Sequence, residues 1–107
     1  MACRYDQQER PRIEQICQKN RLVATTMLDV CRDQAAIAEL EPLLVEYDLI
    51  IERDVEQEEG CPLLLAALLN NLSIAYQREH RQADLDILRE RVEREAGYLS
   101  QHGLLRH

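Results

Sequence analysis

The side chains best suited to metal binding or redox chemistry in this 107-residue chain are its four cysteines, Cys3, Cys17, Cys31 and Cys61. Neighbours among the first three are fourteen residues apart. That length of helix separates two sulfurs by about 21 Å, which is too far for a shared metal or a disulfide. No CxxC pair occurs, so zinc ribbons and thioredoxin-like sites lack their ligand spacing. We therefore expect reduced cysteines that pack as small apolar residues.

The other groups that often carry out catalysis show no catalytic spacing. The histidines, His80, His102 and His107, form no HExxH or HxxxH pair. The carboxylates lack the pattern of a calcium loop, and neither a glycine-rich phosphate loop nor a GxSxG motif is present. The sequence thus predicts a protein that is not an enzyme, with no catalytic, cofactor-binding or metal-binding residues and no cofactor. An enzyme or a metal sensor is the least favoured alternative.

Three amide side chains fall in apolar surroundings. Asn20 lies either within the apolar seam of the first predicted helix, where asparagine sets register and partner number in coiled coils, or at its edge. Asn70 and Asn71 lie in the most apolar segment and need hydrogen-bond partners if buried. They either pair across a helical interface, or one faces solvent while the other caps a loop.

Apolar spacing predicts the helices that hold these residues. The first begins near Pro11, and its seam continues to Cys31. The second has Asp33 as its N-cap candidate. Pro42 then either bends one helix over residues 34–59 or, as we prefer, begins a new one.

The clearest boundary in the chain is Gly60 followed by Pro62, a helix-ending glycine before a helix-starting proline. A third helix follows, and a fourth covers about residues 82–100. These two form either one rod, roughly 57 Å long, or a hairpin near His80. With only three glycines and three prolines, we predict an all-α, antiparallel bundle of about four helices. It forms a single domain over residues 1–107, with a flexible N-terminus over residues 1–10.

Charge is concentrated in one part of the chain. The net charge is −7, yet residues 33–60 alone carry −9, from one basic and ten acidic residues. This acidity opposes binding to nucleic acid or to anionic membranes, which both need a basic surface. Neither a signal-peptide core nor a long apolar run is present, so we expect a cytoplasmic protein. The residues expected to steer a basic partner are Glu46, Glu52, Asp54, Glu56, Glu58 and Glu59.

The segment after Pro62, PLLLAALLNNLSIAY, is apolar on nearly every side. A helix of this kind lies at the centre of a bundle or uses part of its surface in an oligomer. Because three other helices provide limited cover, we predict a homodimer or a bound partner helix. The predicted interface consists of Leu64, Leu65, Leu68, Leu69, Asn71, Leu72 and Tyr76.

Two helical families share features with this chain. Residues 25–54 resemble the first helix, short break and second helix of bacterial flagellar FliT-type export chaperones, although Ala35 and Ala36 stand where that family has an aromatic residue. The segment LLNNLSIAY is similar to the first helix of a tetratricopeptide repeat, but His80 replaces the turn glycine of that repeat. The first resemblance implies a chaperone or regulator that binds another protein.

We therefore expect a small acidic chaperone, or an adaptor that sequesters a secretion or flagellar subunit or a transcription regulator. The partner would bind through a helix or a basic segment. The alternative is a structural homo-oligomeric subunit with no separate partner.

Overall fold

A computed structural model describes residues 7–51 and 61–101 of the chain. Two short 3-10 helices, Gln7–Glu9 and Leu28–Val30, precede the first and second α-helices. No strand occurs in the two described ranges, so this part of the protein is all-α. The four α-helices are α1 (Arg10–Thr26), α2 (Asp33–Ile50), α3 (Pro62–Arg78) and α4 (Gln82–Gln101).

Helix α1 is shorter than its apolar seam predicted. It begins with Pro11 in its first turn and ends at Thr26, instead of continuing to Cys31. Cys31 has a left-handed backbone (φ 58°), and the N–H of Arg32 donates to the carbonyl of Met27 at 2.8 Å. This turn reverses the chain into α2 and leaves Val30 and Cys31 exposed.

Helix α2 continues through Pro42, and our preference for a new helix at that residue was wrong. A proline inside a helix removes the hydrogen bond to the carbonyl four residues earlier. Here that carbonyl belongs to Ala38, which is exposed like Pro42 itself, so water can take the place of the missing donor. Asp33 is the first residue of α2 rather than its N-cap. The helix ends at Ile50, and Ile51 has a non-helical backbone, so the expected continuation of this helix to residue 59 was wrong. Gly60 lies outside the described residues.

Helices α3 and α4 form a hairpin, which excludes the continuous rod. The N–H of Arg81 donates to the carbonyl of Tyr76 at 2.9 Å, and that of His80 donates to the carbonyl of Gln77 at 3.2 Å. His80 has φ 55°. This pair of bonds around a left-handed residue is the Schellman ending of a helix, so His80 occupies the position that glycine usually takes.

Helix α3 lies at the centre of the packing. It contacts α2, α4 and α1, and α1 also packs on α2. Arg78 at the end of α3 donates to Asp33 at the start of α2 (3.1 Å), while Arg12 and Glu46 join α1 to α2. Neighbouring helices along the chain therefore run in opposite directions. The core consists mainly of Ile13, Ile16, Val23, Ala36, Ile37, Leu40, Leu43, Tyr47, Leu65, Leu68, Leu72, Ala75, Leu85 and Leu88.

Candidate docking surface

The predicted interface of α3 lies largely inside the fold. Leu65 and Leu68 are fully buried, and Leu69 is 3% exposed. The premise that three helices cannot cover this segment within one chain is corrected, because α1, α2 and α4 pack around it. These leucines form the core of the chain and are not on its surface in this structure.

The other predicted interface residues lie at the edges of that core. Asn71 donates to Asn20 Oδ1 at 3.0 Å, joining α3 to α1, so it pairs across a helical interface within the chain. Leu72 and Tyr76 are buried, but they form the floor of a groove between α2 and α4. Leu64 lines a second cavity, between α1 and α3. The sequence-based prediction therefore identified buried residues that line the groove and the cavity, but not the exposed residues at their edges.

Helix α2 carries a second apolar face that points away from the core. Four exposed residues on it, Ala38, Pro42, Val45 and Leu49, follow one another at steps of four, three and four. We call them the α2 stripe. Val45 is 59% exposed and Leu49 is 68% exposed. Alternating steps of three and four are the spacing by which one helix packs along another, and the stripe is about 16 Å long.

A groove runs beside this stripe, between α2 and α4. It encloses about 260 Å³, and its apolar lining includes Leu44 and Val45 from α2 and Ile87 and Leu88 from α4. Ile87 is 64% exposed. Together with the α2 stripe it forms an apolar surface on one side of the molecule, and such surfaces commonly bind other proteins.

Two polar contacts mark the ends of the groove. At one end Tyr76 Oη donates to Glu41 Oε2 at 2.6 Å, and the Arg81 guanidinium lies 5.3 Å from the centre of the Tyr76 ring. At the other end Arg91 donates to both carboxylate oxygens of Asp48, at 2.7 and 2.8 Å. A bidentate pair of this kind fixes geometry well. The first contact therefore joins α3 to α2, and the second joins α4 to α2.

The ionisation of Tyr76 reflects its place in this groove. Burial raises the pKa of its hydroxyl, and the hydrogen bond to Glu41 raises that pKa further. The hydroxyl is therefore a donor throughout the physiological range, and Glu41 Oε2 accepts its hydrogen bond. This fixed donor–acceptor pair is a structural contact between α3 and α2.

The α2 stripe lies between acidic residues. Helix α2 contains five acidic residues and no basic one. Glu46 pairs with Arg12 at 3.6 Å and Asp48 with Arg91. Glu39 and Glu41 form no salt bridge with any residue in the described ranges. Of the predicted steering residues only Glu46 is described; Glu52, Asp54, Glu56, Glu58 and Glu59 lie outside the described residues.

The cysteines differ from one another. Cys17 and Cys31 are free, whereas Cys61 is disulfide-bonded, so the expectation of four reduced cysteines was wrong. Burial raises the pKa of the Cys17 thiol. Cys61 is fully buried, and its N–H donates to Tyr47 Oη at 3.0 Å. These contacts anchor the start of α3 against the end of α2.

The exposed surface had a sequence signal that we did not use. The segment AELEPLLVEYDL has apolar residues on both sides of α2, and the stripe spacing can be read from it once Pro42 is accepted inside the helix. Ile87 gave no such signal, because it falls beside the seam of α4 rather than within a second seam.

Comparisons with known proteins do not place the chain in a family. No family model, curated protein or solved structure matches it. Among the described residues, none of the helices has the length and apolar character needed to cross a membrane. The same part of the chain holds no group of His, Cys, Asp and Glu side chains arranged to bind a metal ion.

Proposed function

We propose that this chain is a non-enzymatic protein-binding module that docks a helix of another protein along the α2 stripe. A small acidic chaperone or an adaptor that sequesters its partner would act in this way. The observation that carries the proposal is the exposed row of Ala38, Pro42, Val45 and Leu49 beside Ile87. Exposed apolar side chains at helix-packing spacing are costly to leave in water, and a partner helix would bury them.

The chemistry of the partner follows from the flanks of the stripe. Its helix would carry an apolar row of its own, with one large side chain entering the groove between Val45 and Ile87. Basic residues beside that row would face Glu39 and Glu41, which form no salt bridge in the described ranges. Such pairs at the rim of an interface increase the association rate and set orientation more than they add affinity.

The alternative, a structural subunit that pairs with copies of itself, would use the same apolar row. Pairing one α2 stripe with another would place the acidic flanks of both helices close together, and like charges at an interface oppose association. This repulsion favours a different protein over a second copy. The homodimer expected from the sequence remains a proposal, and it is tested by the experiment that follows.

The test uses two leucine variants with the same chemical change. Leu49→Glu places a charge in the stripe, and Leu22→Glu does so on α1, where Leu22 is 60% exposed. Partners are captured from the native host with tagged wild-type protein and identified by mass spectrometry. Captured partners should be lost with Leu49→Glu and retained with Leu22→Glu.

Analytical ultracentrifugation of the purified proteins separates the two candidates. A monomeric wild type that retains its partner supports the adaptor or chaperone function. A dimer that Leu49→Glu disperses, with no second protein captured, supports the structural subunit. Capture that survives Leu49→Glu contradicts a role for the stripe.

The cellular location that we propose is the cytoplasm. The disulfide at Cys61 points in the other direction, because disulfides are rare in reducing compartments. Alkylation of thiols in intact cells before lysis decides the matter. A trapped free thiol at Cys61 supports the cytoplasm, and a thiol that is released only by a reducing agent contradicts it.

A further inference from the structure

The cavity between α1 and α3 lies apart from the α2 stripe and has a different chemistry. It encloses about 300 Å³, at the lower end of the range for small-molecule sites. Its lining comes from Cys17, Asn20 and Arg21 on α1 and from Pro62, Leu63, Leu64 and Ala67 on α3. Most of this lining is apolar, so the few polar groups determine what the cavity can hold.

The first polar group is the side-chain amide of Asn20. This residue is 6% exposed, and its Oδ1 accepts a hydrogen bond from Asn71. Its Nδ2 has no partner in the described ranges, although buried polar atoms nearly always have one. An unpaired donor in the wall of a cavity is best satisfied by an oxygen acceptor bound there.

The second polar feature is the N-terminus of α3. Its N-cap, Cys61, provides no side-chain hydrogen bond, and no acidic residue lies in its first turn. The first bonded N–H of the helix belongs to Leu65, which donates to the carbonyl of Cys61 at 2.9 Å. The N–H groups of Leu63 and Leu64 have no partner among the described residues. Free N–H groups at a helix N-terminus favour an anion.

The third polar group is the guanidinium of Arg21. This residue is exposed, lines the cavity and forms no salt bridge within the described part of the chain. Three kinds of donor therefore meet at an otherwise apolar cavity. From this convergence we propose that the cavity binds a small-molecule carboxylate with an apolar body. Its oxygens would accept from Asn20, from Arg21 and from the first turn of α3, and its body would lie against Leu63, Leu64 and Ala67.

The position of Cys17 in the cavity wall provides a direct test. Wild-type protein is alkylated with iodoacetamide in the presence of octanoate, and the rates at Cys17 and Cys31 are followed by mass spectrometry. Octanoate should slow alkylation of Cys17 at least about threefold and leave Cys31 unchanged, because Cys31 does not line the cavity. Octanol and octylamine, which lack the carboxylate, should protect much less.

Two variants and one control identify the groups that bind the carboxylate. Arg21→Gln should weaken octanoate binding at least about tenfold, the size expected for loss of a hydrogen bond to a charged group. Asn20→Asp keeps the acceptor for Asn71 but replaces the free donor with a negative charge, so it should abolish binding. Lys19→Gln removes a neighbouring charge of α1 that does not line the cavity, and it should bind like wild type. Circular dichroism confirms that each variant is folded.

Several results would overturn the proposal. One is that octanol protects Cys17 from alkylation as well as octanoate does. Another is that octanoate slows the alkylation of Cys31 as much as that of Cys17. A third is that octanoate at saturating concentration does not protect Cys17 at all. Unchanged octanoate affinity in folded Arg21→Gln would also overturn it. None of these outcomes bears on the α2 stripe, which lies on other helix faces and is tested separately.

Discussion

Replacing Leu68 with alanine tests whether α3 is the core of one chain or an interface. Leu68 is fully buried at the centre of the helix that α1, α2 and α4 cover. Truncating a fully buried leucine costs about 2–5 kcal/mol of unfolding free energy, through lost transfer energy and the remaining cavity. We expect about 3 kcal/mol. An unfolding entropy of about 2.1 cal/mol/K per residue converts this value into a drop in Tm of roughly 13 °C for 107 residues.

The assay is thermal and urea unfolding followed by circular dichroism, at two protein concentrations that differ tenfold. Leu49→Ala is the matched control, because it makes the same truncation at a side chain that is 68% exposed. We expect it to cost less than about 0.5 kcal/mol. A substitution at a core residue lowers the unfolding free energy by the same amount at both protein concentrations. A substitution at an interface residue has an effect that depends on protein concentration. A loss below about 1 kcal/mol for Leu68→Ala, or one that changes with concentration, would refute the assignment of Leu68 to the core.

Three further predictions concern the contacts around the groove and the turn. Because the pKa of Tyr76 is raised in the folded state, the folded protein keeps this proton at a pH where the unfolded chain loses it, so the free energy of unfolding should fall as pH rises above about 10. Urea unfolding at pH 9 and pH 11 should show a smaller fall in this free energy for Tyr76→Phe than for wild type. An equal fall in the two proteins would contradict the prediction. His80→Gly should stabilise the protein by up to about 1 kcal/mol, because glycine adopts φ 55° without strain; lower stability in a chemical denaturation curve would argue against strain at that residue. Arg91→Gln should cost about 1 kcal/mol at low salt and less in 1 M NaCl, since salt screens its partly exposed pair with Asp48 but has little effect on its bond to the buried Glu95; a cost that does not depend on salt would show that the pair with Asp48 contributes little.

Local sequence patterns predicted the four helices and most of the buried faces. The seam of α1 placed Ile13, Ile16 and Val23 in the core, and Pro62 marked the start of α3. These features depend on periodicity and on the backbone limits of single residues, which are properties of the chain itself. They could therefore be predicted without knowledge of the tertiary fold.

The errors arose where tertiary contacts or solvent override local preference. Pro42 stays inside α2 because the carbonyl that loses its donor is exposed to water. The burial of Leu65 and Leu68 within one chain depends on how three other helices surround α3, and composition alone does not determine that arrangement. The exposed α2 stripe was missed for the same reason, since only the packed structure shows which of the two apolar faces of α2 is left uncovered.

The central claim is that the α2 stripe contacts another protein, and site-specific photo-crosslinking tests it most directly. A photoreactive amino acid is placed at Leu49 in one protein and at Leu22 in another, and each is activated in cells of the native host. We predict a discrete adduct with a second protein from position 49 and none from position 22. No adduct from position 49, or the same adducts from both positions, would contradict the claim.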